Sequence, residues 1–196
     1  GDILTQEIIP LDGTETTESI TEQAAHIGAR LLPEVIESIE NGTAEPVPQD
    51  ESEATYCRLL KKEDGLIDWN TDAQKISAMV RAFSPWPKAY TYFEGKKLNI
   101  IYALPAGEDD KGGMQGSGRE GGGGGAGKIA PSDQQASGTA AGEVLGIDKR
   151  AGILLQTGYG ILAVTRLQLE AKKALDWRSF LNGTHGFIGS KLGEAE

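Results

Sequence analysis

The chain has 196 residues, room for one or two domains, and carries 19 basic against 29 acidic side chains. That balance excludes a uniformly basic nucleic-acid module, and the single cysteine, Cys57, excludes both a disulfide framework and a zinc set. No apolar run approaches the roughly 20 residues that cross a bilayer, and the first residues lack the basic start and apolar stretch of a signal peptide. A reduced, cytoplasmic protein is expected. The charge is uneven. Residues 1–61 hold three basic side chains (Arg30, Arg58, Lys61) and thirteen acidic ones, whereas residues 62–196 hold sixteen of each, so two units with different jobs are expected.

In chain order, residues 3–9 (with Ile3, Leu4, Ile8 and Ile9) read as a short strand stopped by Pro10. The chain starts at Gly1 rather than Met, and this strand arrives with nothing before it, so a fragment of a longer protein is expected. From Thr17 a helix is predicted, capped by Thr16 or Thr17, with Ile20, Ala24, Ile27, Leu31, Leu32, Val35, Ile36 and Ile39 on one face. Pro33 is expected to kink or divide it, and Asn41-Gly42 to stop it. Residues 43–61, with Pro46, Pro48 and a run of acids, have the composition of a linker.

Residues 71–83 repeat Ala73, Ile76, Met79, Val80 and Phe83 at helical spacing, and the helix must end before Ser84-Pro85 because the residue preceding proline is pushed out of the α region. The period then changes to two. Tyr90 and Tyr92, then Leu98, Ile100 and Tyr102, flank a Glu94-Gly95 turn and predict a β-hairpin. Three more strands are predicted, from Val144 to Ile147, Ile153 to Leu155 and Ile161 to Leu169. Five short strands with tight turns fit a small OB-type barrel over residues 62–196, making the chain mainly β. Residues 106–141, rich in Gly, Ser and Ala, offer too little apolar surface to offset their ordering entropy and are expected to form a disordered insert. Within them residues 122–128 imitate a P-loop. The Ser or Thr that this motif needs after its lysine is replaced by Ile129, and no strand precedes the glycines, so the imitation is set aside.

Few residues invite catalytic chemistry. His26 and His185 are the only histidines and neither has a neighbouring carboxylate or second histidine in sequence, so no catalytic, cofactor-binding or metal-binding residue is assigned. Trp69, Trp86 and Trp177 are expected in the core. The basic residues Lys61, Lys62, Arg81, Lys96, Lys97, Lys172, Lys173, Arg178 and Lys191 are candidates for RNA phosphate contacts. Each alone reads as a solvated surface charge; gathered on a barrel they could track an RNA backbone.

The segments Asp50-Glu-Ser-Glu-Ala-Thr-Tyr56, Leu66-Ile-Asp-Trp69, Arg81-Ala-Phe-Ser-Pro-Trp-Pro-Lys-Ala-Tyr90, Leu167-Gln-Leu-Glu-Ala-Lys-Lys-Ala-Leu175 and Phe180-Leu-Asn-Gly183, in this order, resemble the C-terminal half of methionyl-tRNA formyltransferases. Gly1-Asp2-Ile3-Leu4 looks like the end of that family's Leu-Asp-x-Gly-Asp-Ile/Met-Leu motif, whose first, catalytic Asp would fall before Gly1; the family's catalytic Asn and His lie further upstream. The resemblance implies that residues 1–42 close a Rossmann-like formyltransferase domain with a strand and a helix, that 43–61 link it onward, and that 62–196 form an OB-like domain helping to hold the tRNA. It implies initiator methionyl-tRNA as partner, 10-formyltetrahydrofolate as formyl donor of the full-length enzyme with none bound by this part, and no activity of this chain alone. No DNA or membrane partner is expected, and a monomer is. The family commonly has Asn where this chain has Ser84 and Gly where it has Lys88. Two alternatives stand beside this expectation: a non-catalytic RNA-binding barrel, and the equivalent part of a formyltransferase acting on another amine.

Overall fold

A computed structural model describes residues 1–107 and 139–193. Most of the glycine-rich insert, including the acidic run from Glu108 and the P-loop imitation, lies outside the described residues. The chain divides into two compact units, Gly1–Lys61 and Lys62–Glu196.

In the first unit one helix dominates, α1 (Thr17–Glu40). Thr16 caps it: its hydroxyl accepts the N–H of Ser19 at 3.1 Å and the Ser19 hydroxyl accepts the N–H of Thr16 at 3.0 Å, a reciprocal box that satisfies two otherwise orphaned donors. At the far end Asn41 donates to Glu37 O, and Gly42 takes the left-handed φ of 68° that ends a helix without steric penalty. The helix runs through Pro33 undivided. One expectation needs correction. Residues 3–9 do not form a strand: Ile3 makes one antiparallel bridge to Val47, and Ile8 is 84% exposed. A strand needs a partner along its length, and this unit supplies one residue of it. The helical face is legible but thinly covered. Ile20, Ile27, Leu31 and Val35 are half-buried, no residue of the helix is fully buried, and Leu32, Ile36 and Ile39 are exposed.

The second unit is an antiparallel sheet with two helices. Its elements are α2 (Ala73–Ala82), β1 (Ala89–Phe93), β2 (Lys96–Pro105), β3 (Val144–Asp148), β4 (Gly152–Gln156), β5 (Ile161–Leu169), the two-residue β6 (Leu175–Asp176) and α3 (Trp177–Gly183). All five predicted strands are present. Their order is β1-β2-β5-β4-β3, with β6 paired to β5. The β1–β2 turn is Glu94-Gly95, both with positive φ (48° and 69°), the pair of values that matches the twist of a two-residue hairpin. α2 starts at the Asp72 cap and buries Ala73, Ile76, Ser77 and Val80; beyond it the Ser84-Pro85 and Trp86-Pro87 peptide bonds are cis.

The core is one cluster. Leu98, Ile100, Ile153, Leu155, Leu162, Val164 and Leu167 of the sheet pack with Ile76, Trp69, Phe180 and Phe187. Phe187 sits edge-on to both Phe93 and Phe180, with ring centroids 4.9 and 5.0 Å apart, a preferred arrangement for aromatic quadrupoles. The expected OB-like class holds as a mainly antiparallel β unit, but the five strands do not close a barrel on each other. Residues 190–193 stand between the two edges. Val144 N–H donates to Ser190 O and Leu192 N–H to Gly142 O on the β3 side, while Tyr92 and Gly193 exchange both backbone bonds on the β1 side. The chain end thus pairs edges that would otherwise be open.

Candidate nucleic-acid interface

Strand alternation sorts the side chains of β1, β2 and β5 into two faces. Leu98, Ile100 and Leu167 point to the core and are fully buried. The opposite face carries Tyr92, Lys97, Asn99 and Gln168, all half-buried, in register: Tyr92 opposite Lys97, Tyr90 opposite Asn99, and Asn99 opposite Gln168. The amide of Gln168 organises this face. Its Oε1 accepts from Lys88 Nζ at 2.9 Å and from Asn99 Nδ2 at 3.3 Å, and its Nε2 donates to the carbonyl of Lys172 at 2.8 Å. The Lys97 ammonium lies over the Tyr90 ring, 3.7 Å from its centroid, a cation–π contact on the order of 1 kcal/mol. Tyr90 in turn meets Tyr92 edge-on at 5.9 Å. Burial pushes the Tyr90 hydroxyl above its ordinary pKa, with Tyr92 and Glu63 adding to the effect. The result is a neutral phenol beneath a held cation.

The nine predicted contacts are distributed unequally. Lys97 and the turn bearing Lys172 and Lys173 are brought together, because Glu170 N–H donates to Lys97 O and Lys172 N–H to Leu169 O; Lys96 is exposed next to Lys97 at the start of β2. Arg178 is placed elsewhere. Its guanidinium stacks on the Trp177 ring at 4.3 Å and donates to Lys149 O at 2.9 Å, on the β3–β4 turn. Arg81 is half-buried on α2 and donates to the Ser77 hydroxyl at 3.0 Å. Lys191 sits in the edge-bridging segment, where its backbone forms an antiparallel bridge with that of Glu143. Lys62 is exposed at the start of the second unit, and Lys61 ends the first.

The basic-pair reading missed Lys88, Asn99 and Gln168. Asn99 and Gln168 are 69 residues apart and meet only through strand register, which no local pattern encodes. Lys88 has a φ of 69°, a left-handed backbone that costs a non-glycine residue roughly 1 kcal/mol. The core assignments of Trp69 and Trp177 stand, at 5% and 8% exposed, whereas Trp86 is 52% exposed, which overturns its expected place in the core. Prolines on both sides hold it in a surface turn, where no helix or strand period carries it inward.

Among the described residues no group of His, Cys, Asp and Glu could hold a metal ion, and His26 and His185 are both exposed. No helix among them is long and apolar enough to cross a membrane. Strands β1, β2 and β5 thus present one face of lysine, tyrosine and amide side chains.

Comparison with known proteins extends this. Residues 59–185 match the family described as formyl transferase, C-terminal domain. Methionyl-tRNA formyltransferase of Treponema denticola is 42% identical over 96% of this chain and 52% of its own length. The enzyme of that name from Treponema pallidum is 35% identical over 98% of the chain and 52% of its length. The chain spans about half the length of the curated relatives it matches. In solved structures the fold is shared with HypX from Aquifex aeolicus, including one determined in complex with tetrahydrofolic acid, at a TM-score of 0.58 and 19% identity, over 97% of this chain and 29% of that one. The chain belongs to the formyl transferase C-terminal domain family.

Proposed function

We propose that these residues are the tRNA-holding C-terminal part of a cytoplasmic methionyl-tRNA formyltransferase, which moves a formyl group from 10-formyltetrahydrofolate to the amino group of initiator methionyl-tRNA. The observation that carries the proposal is the 42% identity to the Treponema denticola enzyme across nearly the whole chain. A folate donor is supported by the formyl transferase family membership and by the tetrahydrofolate complex of a structure sharing the fold.

The reaction needs a general base for the attacking amine and donors for the oxyanion at the formyl carbon. In this reading both come from the half of the relatives that the chain does not span, and the present residues hold the RNA. Phosphates would lie along Lys97, Lys172 and Lys173, with Lys96 and Lys88 beside them. Such contacts release counterions, so binding is salt-dependent and largely indifferent to sequence.

The test is an initiator-tRNA titration at rising salt together with a formyl-transfer assay. Binding that weakens steeply with salt and no turnover by the chain alone are expected. Turnover at the rate of an intact relative, or salt-insensitive binding, would overturn the reading.

A further inference from the structure

Trp86 is an exposed indole on an anchored backbone. Pro85 and Pro87 flank it and each ring fixes its own φ; Pro87 is buried, and Lys88 N–H donates to Phe83 O at 2.9 Å, closing the turn between α2 and β1. The support is held while the ring stands half in water. Two residues on, Lys88 carries its ammonium to Gln168, whose amide also holds the carbonyl of Lys172. The indole thus stands two residues from an ammonium that a side-chain bond fixes on the sheet face.

We infer that Trp86 is a stacking platform for an unpaired RNA base, with Lys88 and the Lys172 turn taking the phosphates on either side of it. Every base has a π face, so an aromatic beside anchored cations suits a nucleotide of any sequence. A protein partner fits less well. Among the described residues the other large exposed apolar side chains of this unit are Ile147, Tyr159, Leu175 and Ile188, and none of them is on the α2–β1 turn that carries Trp86. Duplex RNA fits less well too, because its bases are already stacked on one another.

The inference rests on the RNA-holding reading above, and the experiment separates the two. The 196-residue chain and its Trp86→Ala and Trp86→Phe variants are titrated at low salt with a short unstructured RNA and with a blunt duplex of equal length. Because Trp69 and Trp177 are buried, the indole exposed to the probe is Trp86, and single-stranded RNA should quench the wild-type emission. Trp86→Ala should weaken binding to the single strand about tenfold and to the duplex less than about twofold, with Trp86→Phe close to wild type. Equal affinities for wild type and Trp86→Ala, or an equal loss on both RNAs, would overturn the platform while leaving the RNA reading intact. Failure of the wild-type chain to bind either RNA would overturn both. Circular dichroism melts of the variants establish that any loss is not unfolding.

Discussion

The indole N–H of Trp69 donates to the Thr91 hydroxyl across 3.1 Å of the core, and that hydroxyl donates onward to the carbonyl of Gly193 at 3.2 Å. Three distant stretches, the segment before α2, strand β1 and the chain end, are thereby tied through one side chain that is itself fully buried. Thr91→Val keeps the shape and removes the oxygen. A buried indole N–H would lose its acceptor, at a cost of about 1–3 kcal/mol. Chemical denaturation of the two proteins measures it, and Thr91→Ser should recover most of the loss. An unchanged midpoint would mean that water replaces the hydroxyl.

Gly158 is a second junction. Its N–H donates to Trp69 O at 2.7 Å, and a Cβ built on it would stand 1.8 Å from Asn70 O. Since the obstacle is backbone, no rotamer change removes it. Gly158→Ala should destabilise the unit by about 3 kcal/mol, at the upper end of overpacking costs. Gly95→Ala makes the contrast, because its Cβ meets nothing within 4 Å; only the positive φ opposes it, and about 1 kcal/mol is expected. Thermal melts that rank the two variants the other way round would refute the clash.

Asp176 caps α3, accepting the N–H groups of Arg178 and Ser179 at 3.0 and 3.2 Å. The Ser179 hydroxyl, followed by these backbone donors, holds its carboxyl below the ordinary 3.8. A carboxyl depressed on folding adds stability above the unfolded pKa and surrenders it as pH falls through the lower folded value. Asp148, lowered by the N–H groups of Ala151 and Arg150, acts in the same direction and is common to both proteins compared. Asp176→Asn keeps an oxygen for the cap but not its charge. Its melting temperature should be lower than wild type at neutral pH, and the gap should close as the pH falls below 3.8. A gap constant with pH would show that the charge contributes nothing.

The basic residues differ in a way that salt titration can read. Lys97 is poised on Tyr90 within the lysine cluster, whereas Arg178 is engaged by Trp177 and the Lys149 carbonyl. If RNA follows the cluster, Lys97→Ala should reduce the slope of log affinity against log salt by about 0.7–0.9, one phosphate's worth. Arg178→Ala should reduce it by much less. Equal changes would place both on the RNA path.

Much of this was legible in the residues alone. The change of period from about 3.6 to two after Pro87 located the sheet, because a face packed on a core repeats with the geometry of its element. Thr16, Gly42 and the Ser84-Pro85 pair marked helix ends through local chemistry that does not depend on the rest of the fold. Trp86 was misplaced for the converse reason: an aromatic between two prolines has no period, and whether it faces core or water depends on where the turn is carried. The strand expected at residues 3–9 failed similarly, since its apolar side chains specify a strand only when a partner lies beside them.

The sequence by itself determined the family, the five longer strands of the sheet, the bounds of α1, the end of α2 and the basic residues to consider. Caps, turns and side-chain periodicity act over a few residues, so they are written where they act. Tertiary structure alone decided that residues 190–193 bridge the two sheet edges, that Gln168 gathers Lys88, Asn99 and the Lys172 turn, and that Lys97 is drawn to that cluster while Arg178 is not. Those contacts join residues tens of positions apart, and their partners are chosen by strand register and chain crossing, which follow from the packing of the whole unit.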